Sequence, residues 1–299
     1  MKKIITAVLA LLMIATLCAC NGDSEVGDDL DQYKQEDVVV TYVDFPETGE
    51  RFYFETLDTE SVAITGYNGK DMAHALNIPR ELDVSDPADE TTTDIRTVTT
   101  IAKEAFYYCS KINAINLPDT VTTIEKYAFA GCALVTELTL PASVTTIGES
   151  AFYGCTALTE VNLGAGVKTI GNFAFGACTA LTEINVPANV QTIGNGAFQE
   201  CAELAEVVIA EGVQTIGDGA FINCKKLAAV YLPASVTAIG EFAFNGSENL
   251  FIGSLTAPEG SYAASYIEEM PLTERPIAPE APVEPTVPDA PADPEDPAE

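Results

Sequence analysis

VTTIGESAFYGCTALTEVNL, residues 144–163, is the clearest copy of a unit that recurs along the chain every 23 residues. Its Ala-Phe pair marks the register, and seven such pairs occur at that spacing. They are Ala105/Phe106, Ala128/Phe129, Ala151/Phe152, Ala174/Phe175, Ala197/Phe198, Ala220/Phe221 and Ala243/Phe244. A fixed period over this many copies indicates a solenoid, in which each unit contacts only its neighbours.

Apolar residues recur at fixed distances from each Phe and predict the inside of the coil. Val stands eight residues before the Phe and Ile five before it in every copy. Apolar residues also stand nine and eleven residues after the Phe, as Val161 and Leu163 do, with a polar residue between them. This alternation predicts a short strand. The Val-Thr-Thr-Ile segment predicts a second strand. We therefore expect an α/β repeat solenoid with a parallel β-sheet on its concave face and short helical turns on its convex face.

The unit L-x-L-P-x-x-V-x-x-I-G-x-x-A-F-x-x-C resembles the repeat of the BspA-like leucine-rich repeat family of bacterial surface proteins. The resemblance covers about residues 50–270, and it implies display on the cell surface and adhesion to a host extracellular protein. Ala102 and Glu125 stand where the pattern has Gly, and Ser247 stands where it has Cys. These departures lie towards the ends of the array, where capping units are expected to differ.

Charge and composition exclude several function classes. The formal net charge is −31, and residues 21–50 alone carry ten acids and one Lys. This excess of acids argues against nucleic acid or an anionic membrane surface as a partner. His74 is the single histidine, in a context typical of an edge or packing position. No nucleophile, base and orienting group can be assembled around it, so we predict no catalysis and no cofactor.

The N-terminus predicts export and a lipid anchor. Two lysines precede an apolar run that ends in Leu17-Cys18-Ala19-Cys20, which is typical of a bacterial secretory signal. The ending resembles the lipobox of bacterial lipoproteins, which implies cleavage before Cys20 and lipidation of its thiol. A plain signal peptide cleaved elsewhere is the alternative. The expected location is the extracellular face of the envelope, with the membrane reached only through the lipid.

The remaining chain divides by composition into a tether, a capped array and a tail. We predict a signal peptide over 1–19, an acidic flexible linker over 20–49, and an N-terminal cap with one degenerate repeat over 50–98. The array follows over 99–257 and a C-terminal cap helix over 258–272. The tail, residues 273–299, has Pro at every third position from Pro276 to Pro297 and predicts polyproline II. It would serve as a stiff spacer or as a ligand for a proline-binding surface.

Cysteines and acidic side chains were the candidates for metal or disulfide chemistry. Six repeat cysteines fall in one interior column with parallel side-chain vectors, which favours buried free thiols over disulfides. They are Cys109, Cys132, Cys155, Cys178, Cys201 and Cys224. Asp83, Asp86, Asp89 and Glu90 fall in an insertion after Pro79 without the spacing of a calcium loop. No metal site is therefore predicted.

The outward positions of the first strand are where we expect a partner to bind. Eight residues after the Phe stand Glu137, Glu160, Glu183 and Glu206, and ten residues after it stand Asn116, Thr139, Asn162, Asn185 and Tyr231. Like charges on adjacent strands repel, so the column suggests an acidic stripe for a basic protein segment. The alternative is that exposed glutamate is well hydrated and was copied with its repeat.

Two functions remain open from the sequence. The first is a surface lipoprotein that binds a protein or glycan partner as an adhesin does. The second is a structural or assembly component of the bacterium's own envelope.

Overall fold

Two short strands per repeat stack in register along the molecule. The structure, a computed structural model, describes residues 7–8, 39–46, 48–69, 73–85, 93–247, 249–250 and 254–269. Its strands are β1 (Ala7–Val8), β2 (Val39–Phe45), β3 (Glu50–Thr56), β4 (Ser61–Asn68), β5 (His74–Asn77), β6 (Glu81–Asp83), β7 (Ile95–Ile101), β8 (Ile112–Asn116), β9 (Thr123–Ile124), β10 (Glu137–Thr139), β11 (Thr146–Ile147), β12 (Glu160–Asn162), β13 (Thr169–Ile170), β14 (Glu183–Val186), β15 (Thr192–Ile193), β16 (Glu206–Ile209), β17 (Thr215–Ile216), β18 (Ala229–Tyr231), β19 (Ala238–Ile239) and β20 (Leu255–Thr256). One helix, α1 (Tyr262–Glu269), follows them.

The first strand of each repeat forms parallel pairs with the same strand of the next repeat. The groups are β5–β8, β10–β12 and β14–β16–β18–β20. The N–H of Thr182 donates to the C=O of Thr159 (3.3 Å), which links the second group to the third. Within β14, Ile184 and Val186 are buried while Glu183 and Asn185 are exposed. The predicted parallel sheet and its alternation are therefore confirmed.

The second strands form a sheet that continues into the N-terminal cap. Strands β7, β9, β11, β13, β15, β17 and β19 pair in parallel, one per coil, and the Ile of each Thr-Ile pair from Ile124 to Ile216 is buried. Strands β1 to β4 pair antiparallel at one end of this sheet, and β4 pairs parallel with β7. Strand β1 lies inside the segment predicted as a signal peptide (1–19) and strand β2 inside the stretch predicted as linker (20–49), so the cap sheet begins before Glu50. Leu76 of β5 aligns with Ile115 of β8, as a degenerate repeat requires.

The segments around each Ala-Phe pair are turns rather than the helical turns predicted for the convex face. We call these segments, from two residues before each Phe to two after it, the Ala-Phe turns. Both end positions have φ between 54° and 76° in all seven turns. Most of these residues are not glycine, for example Ser150 and Phe173. A left-handed residue every fourth position interrupts a right-handed helix, so the predicted helices cannot form.

Hydrogen bonds to the next coil replace the missing helical bonds. The N–H of Phe152 donates to the C=O of Ala174 (2.8 Å), and that of Gly154 to Gly176 (2.9 Å). Between them, the N–H of Tyr153 donates within the turn to the C=O of Ser150 (3.1 Å). Alternate residues therefore bond between coils and within the coil, and the turns act as a third ladder along the solenoid.

A continuous column of phenylalanine rings runs through the core beneath the Ala-Phe turns. Adjacent rings from Phe106 to Phe244 have centroids 4.9 to 5.5 Å apart and planes within 7° of parallel. Tyr67 of the cap extends the column at 5.5 Å from Phe106, and Phe52 lies 5.1 Å from Tyr67. The cap and the array thus share one core.

The C-terminal end carries the helix α1, within the segment 258–272 predicted to cap the array. Ser261 immediately precedes it, and the Oγ of Ser261 accepts a hydrogen bond from the N–H of Ala264 (3.1 Å), as an N-cap residue does. Ala263 is buried and Tyr266 packs against the core. In the described part of the chain, no helix combines the length and the apolarity needed to cross a membrane.

We expect Gly171→Ala to destabilise the array by about 1–3 kcal/mol, because added volume in a packed contact forces the backbone to shift. A Cβ atom at Gly171 would lie 2.6 Å from the backbone carbon and oxygen of Gly148 in the preceding coil. The control is Gly154→Ala. A Cβ there meets nothing within 4 Å and Ala177 occupies the same position of the next turn with φ of 56°, so this control carries only the backbone cost of its φ of 70°, which the loss at Gly171 should exceed. Urea unfolding of both variants measures the difference, and equal losses would contradict the packing argument.

Candidate functional site

The four glutamates of the first strands form one row on the outer side of the sheet. Glu137 pairs with Glu160 across β10 and β12, and Glu183 pairs with Glu206 across β14 and β16. All four side chains are exposed. Neighbouring strands lie about 4.8 Å apart, so each coil adds one carboxylate at about that distance from the like charge on the next coil. We call this row the Glu ladder.

The carboxylates of the Glu ladder are not neutralised by described residues. Six basic side chains form ion pairs in the described part of the chain, and each pairs with an acid elsewhere. The acids in those pairs are Asp44, Asp119, Asp94, Glu104, Glu149 and Glu203. The row therefore presents an uncompensated line of negative charge to solvent.

The second predicted column lies beside the Glu ladder, but part of it is engaged within the protein. Thr139 pairs with Asn162 across the sheet. Asn162 accepts a hydrogen bond on Oδ1 from the N–H of Gly164 (3.1 Å), and Asn116 donates from Nδ2 to Oδ1 of Asn77 (2.8 Å). These two amides stabilise the loops and the cap. Asn185 is exposed and has its side chain directed to the same face as Glu183.

Two features of this face add residues that were not predicted, a column of threonines and Val208 beside the predicted Tyr231. Exposed threonines form a column on the other side of the Glu ladder, where Thr159 Oγ1 donates to the C=O of Thr136 (2.9 Å) and Thr182 Oγ1 to that of Thr159 (3.3 Å). Val208 pairs with Tyr231 across β16 and β18, and the two are 46% and 52% exposed. The face therefore has an acidic middle and an apolar end. These threonines stand seven residues after the Phe and are evident in the sequence, but only the structure shows that they border the Glu ladder.

The family comparison agrees with this architecture. A model described as a BspA type leucine rich repeat region matches residues 91–201 and 125–251, with six copies. The two matched segments together span more than half of the chain. The chain belongs to the BspA-type leucine-rich repeat family. Proteins of this family are typically surface-associated and non-catalytic.

Solved structures of bacterial leucine-rich repeat proteins resemble this BspA-type chain. The T. pallidum leucine-rich repeat protein TpLRR is 29% identical over 68% of this chain and 89% of its own, with a TM-score of 0.59. A leucine-rich repeat protein from Eubacterium ventriosum is 26% identical over 74% of this chain and 54% of its own, with a TM-score of 0.57. A comparison with curated proteins gives no match.

The repeat cysteines of this BspA-type array are structural. All six are buried free thiols, as predicted. Five donate from Sγ to the C=O of a Phe in the preceding coil, at 3.2 to 3.4 Å. Burial raises the pKa of Cys155 from 9.0 to about 12. Ser247, which replaces Cys in the last unit, makes the same bond from Oγ to Phe221 (3.2 Å). This position of the repeat therefore requires a small hydrogen-bond donor, and a reactive thiol is not needed.

The single histidine also has a packing role in the BspA-type fold. Glu50 is 7% exposed, and its Oε1 accepts a hydrogen bond from the hydroxyl of Tyr67 (2.8 Å). The same hydroxyl lies 2.8 Å from Nε2 of His74 on strand β5. Because the tyrosine proton goes to the carboxylate, His74 is the donor to the tyrosine oxygen. This chain of three side chains fixes the cap, and within the described residues no group of three or more His, Cys, Asp or Glu is placed to hold a metal ion.

Proposed function

We propose that this chain is a non-catalytic surface lipoprotein whose Glu ladder binds a basic segment of a partner protein. The anchor would be lipid on Cys20, which lies outside the described residues. The acidic stretch that follows would hold the array away from the membrane. The family's usual association with bacterial surfaces supports display outside the cell.

The unneutralised Glu ladder is the observation that carries the proposal. Lysines or arginines could have been placed opposite these carboxylates, as Lys126 is placed 2.7 Å from Glu149 elsewhere in the array. Instead the chain keeps four like charges in register on adjacent strands, an arrangement that costs stability. A basic ligand removes that repulsion when it binds, so its charge is recognised in addition to its contact area.

The neighbouring side chains would add specificity to this charge recognition. Asn185 offers an amide beside the ladder, while Val208 and Tyr231 offer apolar area at one end of it. Exposed aromatic side chains are common anchors in protein interfaces. A partner segment with basic residues followed by an apolar one fits this order along the solenoid.

Replacing the Glu ladder by Gln should weaken binding about tenfold, because exposed ion pairs each contribute little but add along a row. The changes are Glu137→Gln, Glu160→Gln, Glu183→Gln and Glu206→Gln. The salt dependence of binding should fall as well. The matched control replaces four exposed glutamates outside the ladder, namely Glu55, Glu200, Glu241 and Glu259. It changes net charge equally and should leave affinity nearly unchanged.

The partner's source is tested by affinity capture on the immobilised full chain. An extract of host extracellular matrix and an extract of the producing bacterium's envelope are applied to the unchanged chain and to both variants. Basic matrix proteins retained by the unchanged chain and the control, but lost from the Glu ladder variant, support adhesion. Retention of envelope components alone would favour a structural role in the envelope. Equal retention on all three proteins would reject the Glu ladder as the site.

A further inference from the structure

Aromatic side chains gather on the outer surface of the first four Ala-Phe turns, on a different face from the Glu ladder. Tyr107 and Tyr108 meet edge to face at 4.5 Å, and Tyr127 lies 6.0 Å from Tyr107. Tyr108 is 58% exposed, and Tyr107, Tyr127, Tyr153 and Phe173 are partly exposed. We call these five residues the aromatic patch. Tyrosine rings that show one face and a hydroxyl to solvent are typical of interaction surfaces.

The spacing of the aromatic patch alternates between coils. Tyr107 and Tyr153 occupy the position one after the core Phe in coils one and three, where the coil between has Ala130. Tyr127 and Phe173 likewise stand two coils apart at the position two before the core Phe. The intervening residues, Ala130 and Ser150, are small, and the rings of Tyr153 and Phe173 lie against Gly176 and Gly196 of the next coil. At each of these two positions an aromatic residue therefore recurs after two coils.

Two coils match the repeat of polyproline II. Strand spacing makes two coils about 9.6 Å, and three residues of polyproline II rise about 9.3 Å. The Phe rings of coils two to four, at 5.4 and 5.3 Å per step, put the upper value near 11 Å. The two-coil distance and the polyproline II repeat therefore differ by about 2 Å at most. Because each column has only two rings, this difference does not accumulate, and rotation of a tyrosine side chain can compensate for it.

The tail of this chain has the same period. Pro276, Pro279, Pro282 and Pro285 begin a series with Pro at every third residue up to Pro297. Polyproline II aligns residues three apart along one edge and leaves its carbonyl groups free to accept hydrogen bonds. Aromatic surfaces recognise such segments by stacking on the prolines, and tyrosine hydroxyls can donate to the carbonyls.

We infer that the aromatic patch is the docking site for the chain's own proline-rich tail. The tail lies along the solenoid axis, with prolines three apart in contact with aromatic rings two coils apart. This assignment is independent of the Glu ladder's proposed function. It makes the tail part of the ectodomain surface and covers tyrosines that would otherwise face solvent.

Charge favours the N-terminal coils, which carry Tyr107, Tyr108 and Tyr127, over the rest of the array. The tail and the residue before it carry eight acids and one arginine. Residues 93–127, which include most of the patch, have four acids and four basic residues and are neutral overall, whereas residues 128–250 have eleven acids and three lysines. The Glu ladder would repel the tail, while Lys126 Nζ lies 5.0 Å from the centroid of the Tyr127 ring and shares its charge with Glu149.

The tail is long enough to reach the patch within one molecule. Helix α1 ends at Glu269 beside β19 and β20, about six coils from the first Ala-Phe turn. Six coils span about 29 Å, which is the rise of about nine or ten residues of polyproline II. Prolines between 276 and 288 can therefore contact the patch in the same molecule.

Nuclear magnetic resonance of the full chain tests the docking. In the unchanged chain, the amides of Glu280, Val283, Glu284 and Thr286 should show heteronuclear NOE values close to those of the folded array. In a Tyr107→Gln, Tyr153→Gln double variant, these values should fall to those of a mobile chain. Gln is suitable because Gln199 occupies the same position in a later coil. Mobile-chain values in the unchanged protein would overturn the inference.

Two further proteins make the result specific. Tyr231→Gln removes an exposed tyrosine from the face that carries the Glu ladder, and it should leave the tail values unchanged. Replacing Pro279, Pro282 and Pro285 by Ala interrupts the period without touching the array, and it should release the tail even if the double variant folds poorly. Dilution should not alter the values of the unchanged chain. Loss of the high values on dilution would show docking between molecules and would overturn the assignment to the chain's own patch.

Discussion

Phe175→Ala should lower the free energy of unfolding by about 3–5 kcal/mol, the range for removal of a fully buried Phe. The ring is completely buried and lies between Phe152 at 5.3 Å and Phe198 at 5.5 Å. Its removal leaves a cavity in the middle of the phenylalanine column and breaks two stacking contacts. Urea unfolding followed by circular dichroism measures the loss.

The matched substitution at the end of the column is Phe244→Ala. Phe244 is also buried, but its described stacking neighbour is Phe221 on one side, at 5.5 Å. We expect a smaller loss there, by about 1 kcal/mol or more, because an end coil has fewer neighbours and can relax. Equal losses at the two positions would show that the array does not behave as a stack of nearest-neighbour units.

The inside of the solenoid follows from the sequence because one period is one coil. A residue kept at the same position of each unit, such as Ile147 or Cys155, must stack on its own copies, and the parallel registers are offset by one repeat. Burial in the first strand follows for the same reason, since an alternating pattern has one inward side. The buried columns and the Glu ladder could therefore be located without coordinates.

The Ala-Phe turns could not be predicted in this way, because their conformation depends on bonds between coils. Glu104, Tyr108 and Phe173 adopt positive φ, which their residue types disfavour. The bonds from each turn to the next coil compensate for that cost. A short stretch of sequence shows neither these hydrogen bonds between coils nor their partners, so the same residues predict a helical turn.

Side chains that bond to a neighbouring coil were missed for a related reason. Asn172 Oδ1 accepts from the N–H of Asn195, and Asn195 Oδ1 accepts from the N–H of Asp218, both at 2.9 Å. The column changes residue type along the array, from Lys126 and Glu149 to Asn172 and Asp218, so it is not evident as a repeat. The aromatic patch is similarly irregular in sequence, and only stacking of the coils brings its rings together.

Alkaline pH should unfold the array through its thiols. Burial raises the pKa of Cys155 and of Cys224 from 9.0 to about 12, and it raises the pKa of Cys178 and Cys201 well above 9.0. A thiol whose pKa is higher in the folded than in the unfolded state stabilises the fold fully below the unfolded pKa. That stability is lost as pH rises through the interval between the two values. The loss therefore begins near pH 9 and continues towards pH 12.

The expected size of this effect is large because the four thiols act together. Each contributes about 1.4 kcal/mol per pH unit within the interval, so four contribute about 5 kcal/mol per unit. That is comparable with the whole stability of an ordinary domain, about 5–15 kcal/mol. We expect cooperative unfolding between about pH 10 and 11, seen as loss of circular dichroism together with alkylation of the repeat cysteines by iodoacetamide.

The decisive control replaces Cys155, Cys178, Cys201 and Cys224 by Ser. Ser247 shows that a hydroxyl can make the same bond to the preceding coil, and a hydroxyl does not ionise in this range. The variant starts from a different stability, so the slope of the unfolding free energy against pH is compared and not its absolute value. The two proteins are identical at every other position, so the difference in slope between them isolates the thiols. An unchanged slope would mean that the buried thiolates are tolerated, and it would contradict a dry, closely packed cysteine column.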